Sequence, residues 1–186
     1  MTKIIGIAGS LRQHSYNGGL LRAAAEAAPG GCSVDIGSIA GIPLYNSDLE
    51  DKEGIPETVT ELKEQFAAAD GIVLVTPEYN NSLPGVFKNA IDWISRPPED
   101  RPRVFGNKPV ALMGATPGSF GTAFSQYAWL PTLRALGTQV WSGDLVWVSG
   151  AMGKFDKNGN LTDDGIRNKL QKSVAAFAAF VERMKA

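Results

Sequence analysis

Cysteine and histidine, which form disulfides and many metal centres, are both scarce in this chain. Its 186 residues include one cysteine, Cys32, and one histidine, His14. A single cysteine excludes an internal disulfide and, with the balanced composition, is typical of a reducing compartment, so we expect a cytoplasmic location. A single histidine excludes centres built from several histidines, and we predict no metal site.

Charge of one sign and long apolar runs are also scarce. Eighteen basic side chains face nineteen acidic ones, for a formal net charge of −1. Because no dense basic cluster occurs, we do not expect nucleic acid as a partner. The apolar run at residues 3–8 soon meets Gly, Ser and Arg, so it predicts neither a signal peptide nor a membrane partner. Without a Pro- or Ser-rich linker, residues 1–186 are predicted to form one domain.

Short apolar segments alternate with segments of helical period along the chain. The predicted strands lie at residues 3–8, 32–36, 71–76, 108–114 and within 138–148. The predicted helices cover residues 17–28, 56–69, 85–94, 121–136 and 162–185, the fourth disturbed at Pro131 because proline lacks a backbone N–H. This alternation predicts an α/β fold with a doubly wound parallel sheet.

The count of five strands favours the flavodoxin-like order 2-1-3-4-5 over the six-stranded dinucleotide fold. In that order a ligand binds where strands one and three diverge, outside their carboxyl ends. We therefore expect the loops after strands one and three to hold a ligand.

The loop after the first strand carries donors for an anion. Ser10, Ser15 and Asn17 offer hydroxyl and amide donors, and Arg12 offers a guanidinium. Backbone N–H groups at the start of the following helix add partial positive charge. Since neither G-x-G-x-x-G nor a Walker loop is present, the terminal phosphate of a mononucleotide is favoured. Serine and asparagine are also common helix caps and turn formers, so a purely structural role stays open.

The loop after the third strand fits the edge of a planar ligand. Pro77 and Pro84 restrict the backbone at both ends. Tyr79 offers a ring for packing, and Asn80 offers donors and acceptors at a polar rim. A flavin needs such contacts, because donors near its ring stabilise the charge of the reduced form. A rigid loop with a surface tyrosine is the alternative.

Together the two loops resemble a known family. The motifs GSLRxxSxN after the first strand and TPEYNxSxPGxxKNAIDW after the third are similar to those of the NAD(P)H-dependent FMN reductases, a group that includes bacterial chromate and quinone reductases. The resemblance extends over the whole chain. It implies FMN as cofactor and NADPH or NADH as electron donor, with no catalytic side chain because FMN carries the chemistry.

The resemblance also implies which residues bind FMN. The phosphate loop supplies Ser10, Leu11, Arg12, Ser15, Tyr16 and Asn17. The flavin ring would meet Pro77, Glu78, Tyr79 and Asn80, and a third loop would approach it with Thr116, Pro117, Gly118, Ser119 and Gly121. Beyond Gly121 the chain departs from many relatives at Thr122 and Phe124.

The function so implied is transfer of a hydride from NAD(P)H through FMN to a quinone, a free flavin or a metal oxyanion such as chromate. The family also implies a homo-oligomer, dimer or tetramer. The apolar residues on several sides of the third and fourth helices, such as Tyr127 and Leu130, are consistent with a covering partner or with burial in the monomer. Two alternatives remain: a non-enzymatic electron carrier of flavodoxin type, disfavoured by the near-neutral charge, and a phosphate-binding module without flavin.

Overall fold

The fold is built on one parallel sheet. The computed structural model describes residues 1–144 and 146–185. Its strands are β1 (Thr2–Ala8), β2 (Cys32–Gly37), β3 (Gly71–Val75), β4 (Pro109–Ala115), β5 (Gln139–Val140) and β6 (Val146–Val148). The order β2-β1-β3-β4-β5, with β6 also paired to β4, confirms the predicted flavodoxin-like topology. β3 and β4 are buried at every position, which explains their unbroken apolar sequences.

Helices cover both faces of the sheet. They are α1 (Tyr16–Glu26), α2 (Ser47–Glu53), α3 (Glu57–Ala68), α4 (Gly85–Ile94), α5 (Arg101–Val104), α6 (Ala123–Ala135) and α7 (Asp164–Met184). The short helices α2 and α5 were not predicted, because neither has an apolar stripe long enough to show a period. No described helix is both long enough and apolar enough to cross a membrane.

Two apolar clusters fix the sheet between the helices. On one face, β1, β3 and β4 pack against Leu20 and Leu21 of α1 and against Val174 and Phe177 of α7. On the other face, alternate strand residues pack against α3, α4 and α6. Both clusters hold the strands rigidly and leave their carboxyl ends free to carry loops.

The predicted fifth strand is divided into β5 and β6. Both pair in parallel with β4, β5 at Pro109 and Val110 and β6 further along at Met113. Between them Trp141 turns onto Phe177 of α7, with ring centroids 5.4 Å apart. The chain bends at Gly143, where a side chain would collide with the Trp141 indole. The single strand predicted within residues 138–148 is therefore present as two short strands, both inside the predicted range.

Helix α6 continues through Pro131, at which the sequence predicted a disturbance. The helix begins two residues later than predicted, at Ala123. The two residues before it, Gly121 and Thr122, have positive φ angles of 59° and 68°. Those two left-handed residues end the preceding loop and set the direction in which α6 starts.

Candidate cofactor site

Three loops meet at the carboxyl end of the sheet. Ala8 of β1 lies beside Val75 of β3, and Val75 in turn lies beside Met113 of β4, so the three strands end close together. The loops that follow enclose a cleft of about 70 Å³, which we call the switch-point cleft. It is lined by Ser10, Arg12, Ser15, Tyr16, Asn17, Pro77, Glu78, Tyr79, Ala115, Thr116 and Pro117.

The first loop ends in a serine-capped helix. The Ser15 hydroxyl accepts hydrogen bonds from the N–H groups of Asn17 and Gly18, at 3.2 and 3.3 Å. The Ser10 hydroxyl accepts the N–H of Arg12 at 3.3 Å. Each hydroxyl keeps its own hydrogen for a further acceptor. The arrangement therefore serves as a cap and also offers two donors beside the positive end of α1.

The guanidinium of Arg12 supplies the positive charge at this cleft. Arg12 is exposed, and its guanidinium lies 5.7 Å from the centre of the Tyr16 ring. Tyr16 packs in turn on Phe155, with ring centroids 5.2 Å apart. A cation placed over an aromatic ring is held without losing its outward donors, so Arg12 is oriented yet able to bind an anion.

Asn17 connects the first loop to the third. Its side-chain amide donates to the Ala115 carbonyl at 2.9 Å, and its carbonyl accepts the Ala115 N–H at 2.8 Å. Asn17 is only 4% exposed, so both bonds are shielded from water. This pair fixes α1 against the end of β4 and leaves one amide hydrogen unused. Direct contact between Asn17 and a phosphate stays a prediction.

The second loop is a tight turn that presents a tyrosine. Tyr79 and Ser82 exchange two backbone hydrogen bonds of 3.0 Å. The residues between them, Asn80 and Asn81, have φ angles of 50° and 58°, as in a type I′ turn. Asparagine tolerates this conformation better than most residues. The Tyr79 ring is 47% exposed and borders the cleft.

Glu78 caps the amino end of α6. One oxygen of its carboxylate accepts the N–H of Ser125 at 3.2 Å, in the first turn of the helix. The residue at the cap position, Thr122, makes no side-chain cap bond of its own. Glu78 therefore supplies the missing acceptor and places its negative charge at a helix amino end, where it is favourable.

A buried network lies beneath the second loop. The Thr76 hydroxyl donates to the Pro77 carbonyl at 3.0 Å, accepts the indole N–H of Trp129 at 3.1 Å and lies 2.7 Å from the Ser125 hydroxyl. Thr76, Ser125 and Trp129 are all fully buried. Sequence analysis missed Ser125 and Trp129. The available signal was that a buried tryptophan needs a partner for its N–H.

The third loop is anchored to the chain after β6. Thr116 donates its N–H to the Val148 carbonyl at 2.9 Å, and its own carbonyl accepts the Ala151 N–H at 3.0 Å. Thr116 and Pro117 reach the switch-point cleft. Five predicted site residues lie outside its lining: Leu11, Asn80, Gly118, Ser119 and Gly121. Gly121 packs instead so closely on Trp147 that a side chain there would collide.

Comparison with known proteins identifies the family. The family model for NADPH-dependent FMN reductase matches residues 2–153. The chain belongs to this family. An NAD(P)H-dependent FMN reductase of Pseudomonas aeruginosa is 44% identical over 98% of this chain and 97% of the relative. A quinone reductase of Escherichia coli is 40% identical, with 98% of this chain and 97% of the relative covered.

A solved structure agrees with these relatives. FerB, a flavoenzyme NAD(P)H:(acceptor) oxidoreductase from Paracoccus denitrificans, superposes with a TM-score of 0.85 at 32% identity and covers 98% of both chains. As a member of the FMN reductase family, the chain is an oxidoreductase that works with FMN and NAD(P)H, which confirms the resemblance, the enzyme class and the cofactors predicted from its motifs. Among the described residues, no three His, Cys, Asp or Glu side chains are grouped as a metal site.

Proposed function

We propose that the chain binds FMN across the switch-point cleft and uses NAD(P)H to reduce quinones. The observation that carries this proposal is that a group of anion-binding side chains, which we call the anion seat, and an exposed aromatic loop line the same cleft. Arg12, Ser10 and Ser15 stand on one side, and Tyr79 on the other. This donor set fits a mononucleotide with a charged tail and a planar head.

The anion seat fits a phosphate monoester. Two hydroxyl hydrogens, the Arg12 guanidinium and the amino end of α1 are the groups that a phosphate prefers. At about 70 Å³ the closed part of the cleft is far below the roughly 300 Å³ typical of a site that encloses a whole small ligand. The cleft therefore suits the phosphate, with the flavin ring lying over the loops outside it.

The second loop fits the ring because it is held in one shape. The type I′ turn fixes Tyr79 and Asn80, the Thr76 hydroxyl fixes Pro77, and the Ser125 N–H fixes Glu78. Bound FMN supplies two-electron chemistry, accepting a hydride and passing the electrons on. These residues would orient the ring and would leave one of its faces accessible to both reactants. Because the flavin would carry the hydride, no side chain is needed as a nucleophile or base.

Quinones are the proposed acceptors, since the Escherichia coli relative is named a quinone reductase and another, from a Burkholderia species and 38% identical, a 2-hydroxy-1,4-benzoquinone reductase. Free flavin and metal oxyanions such as chromate are further acceptors of the same proposal, because an open flavin face reduces many compounds. We place the protein in the cytoplasm, where NAD(P)H is available.

We propose a homo-oligomer, dimer or tetramer, whose contact includes the outer face of α6. Phe120, Phe124, Tyr127 and Leu130 are 62%, 42%, 59% and 38% exposed along one side of this helix and the loop before it. Apolar groups this large and contiguous favour a protein partner over water. Trp129 and Leu133, by contrast, are buried in the core, so α6 is apolar on two sides as predicted.

An anaerobic spectrum of the purified protein tests the proposal. We expect a yellow protein whose flavin absorbance bleaches on addition of NADPH or NADH and returns on addition of benzoquinone. Flavin that binds but is not reduced by NAD(P)H would instead indicate an electron carrier of flavodoxin type. A colourless protein that takes up phosphate but not FMN would overturn the proposal. Sedimentation at micromolar concentration tests the oligomer.

A further inference from the structure

A second groove opens beside the switch-point cleft, at the carboxyl end of β2. It measures about 360 Å³, which is within the range of small-molecule sites. Its lining includes Ser10, Leu11, Gly18, Arg22, Ile36 and Ser38. We call it the β2 groove. The β2 groove and the switch-point cleft have Ser10 in common. Three other surface concavities, lined by Met1, Leu130 and Arg167 respectively, share no lining residue with the switch-point cleft.

We propose that the β2 groove binds the adenosine 2′-phosphate end of NADPH. This inference rests on the proposed function. A dinucleotide whose nicotinamide lies over the flavin ring must place its pyrophosphate and adenosine in a connected concavity. The β2 groove shares Ser10 with the cofactor cleft, and it lies at the carboxyl edge of the sheet, where ligands bind in folds of this class.

The groove carries apolar surfaces for a base. Leu11 and Ile36 are 58% and 52% exposed although both are large and apolar. They come from different segments, Leu11 from the first loop and Ile36 from β2, yet they line the same concavity. Large aliphatic side chains that border a concave surface suit a flat, weakly polar ring such as adenine.

Arg22 gives the groove a fixed positive charge. One guanidinium nitrogen donates to the Gly159 carbonyl at 3.2 Å and to the Asn160 side-chain oxygen at 2.8 Å. Its other terminal nitrogen points toward Gly18, 3.6 Å from where a β-carbon would stand. Glycine at position 18 thus leaves the guanidinium uncovered on the groove side. A guanidinium held in place by two bonds is well suited to a phosphate dianion.

Two serines complete the polar lining. The hydroxyls of Ser10 and Ser38 each accept one backbone N–H, from Arg12 at 3.3 Å and from Ala40 at 3.1 Å. With FMN bound at Ser10, the hydroxyl hydrogen of Ser38 remains able to donate to a ribose or phosphate oxygen of the dinucleotide. Because the 2′-phosphate distinguishes NADPH from NADH, Arg22 is the residue expected to set the preference between the two.

Binding of nucleotide fragments tests the assignment without turnover. Calorimetry on the FMN-saturated protein should show adenosine 2′,5′-bisphosphate binding at least tenfold more tightly than 5′-AMP. Arg22→Gln should remove that difference. Arg167→Gln is the matched control, since Arg167 holds the neighbouring Leu161 carbonyl but does not line the groove. Equal binding of the two fragments to the unaltered protein would overturn the assignment.

Steady-state kinetics provide an independent readout. Arg22→Gln should lower kcat/KM for NADPH about tenfold and leave that for NADH within twofold. Ile36→Asp should weaken both dinucleotides, while reduced nicotinamide mononucleotide, which lacks the adenosine half, is oxidised at the unaltered rate. Thermal unfolding and the FMN dissociation constant check that each variant is folded and loaded.

The failure of this inference is distinguishable from failure of the proposed function. If reduced nicotinamide mononucleotide bleaches the flavin but neither Arg22→Gln nor Ile36→Asp changes dinucleotide use, the adenosine end binds elsewhere. If no flavin binds or none is reduced, the proposed function itself is wrong.

Discussion

Helix α1 begins at the switch-point cleft, and helix α6 begins beside Glu78, which lines the same cleft, but the two amino ends are capped differently. The first turn of α1 is capped by the neutral hydroxyl of Ser15, with the Arg12 guanidinium nearby. The first turn of α6 is capped by the carboxylate of Glu78. Both ends carry partial positive charge, yet only that of α1 remains available to an external anion. The difference predicts that a phosphate binds at the amino end of α1 and not at that of α6.

The largest effect should come from detaching α1 from the sheet. Asn17→Leu leaves the buried N–H and C=O of Ala115 without partners, and we expect the free energy of unfolding to fall by about 3 kcal/mol. Asn89→Leu is the matched control, because Asn89 also makes two bonds to backbone, at Pro43 and Tyr45, but in a more exposed segment. Denaturant unfolding should show a smaller loss of unfolding free energy for Asn89→Leu. Equal losses in the two variants would contradict a special role for the bonds between Asn17 and Ala115.

The second largest effect should come from removing the positive charge beside α1, which should weaken the binding of FMN. Arg12→Ala is expected to raise the FMN dissociation constant about thirtyfold, since a hydrogen bond to a charged group contributes roughly 2 kcal/mol. Flavin fluorescence measures this constant. Riboflavin, which lacks the phosphate, should bind the variant and the unaltered protein alike. A matching loss for riboflavin would show that Arg12 does not contact the phosphate.

Ser15 separates capping from ligand binding. Ser15→Ala removes both the cap and the proposed phosphate donor, so stability should fall by about 1 kcal/mol. Ser15→Gly should cost only a few tenths of a kcal/mol in stability, because glycine is an acceptable cap residue. Both variants should weaken FMN to a similar degree. If FMN affinity follows stability instead, Ser15 acts only as a cap.

A small effect on stability, without loss of FMN affinity, is expected at α6. Glu78→Gln keeps an acceptor for the Ser125 N–H but removes the negative charge, so stability should fall by about 0.5 kcal/mol. Loss of a negative charge near the flavin should also make its midpoint potential more positive, which spectroelectrochemistry measures. Glu99→Gln, on an exposed residue outside the cleft, is the control. If the midpoint potential shifts equally in both variants, Glu78 has no specific effect on the flavin ring.

Much of this fold could be predicted because its signals are local. The unbroken apolar segments of β3 and β4 and the helical stripe of α7 each identify one element. The division between β5 and β6 could not be predicted, because it depends on Trp141 packing on a residue of α7 far along the chain. Tertiary packing overrode a local preference for a strand.

The site shows the same limit. Residue types placed Ser15, Arg12 and Tyr79 at one cleft before any geometry was known. They did not reveal that Glu78 caps α6, because its partner is a backbone group 47 residues away. Likewise, the bond between Asn17 and Ala115 spans 98 residues. Contacts of this length depend on the assembled sheet and leave no pattern in the sequence.

The interrupted β5–β6 border also affects how the protein associates with itself. A long uncovered border strand presents a row of free amides and carbonyls to which another chain can add as a further strand, and such addition leads to aggregates. Here that border consists of a two-residue and a three-residue segment with a bend between them. Growth of the sheet from one molecule into the next is therefore disfavoured on this side, in contrast to the opposite edge, where β2 runs unbroken for six residues.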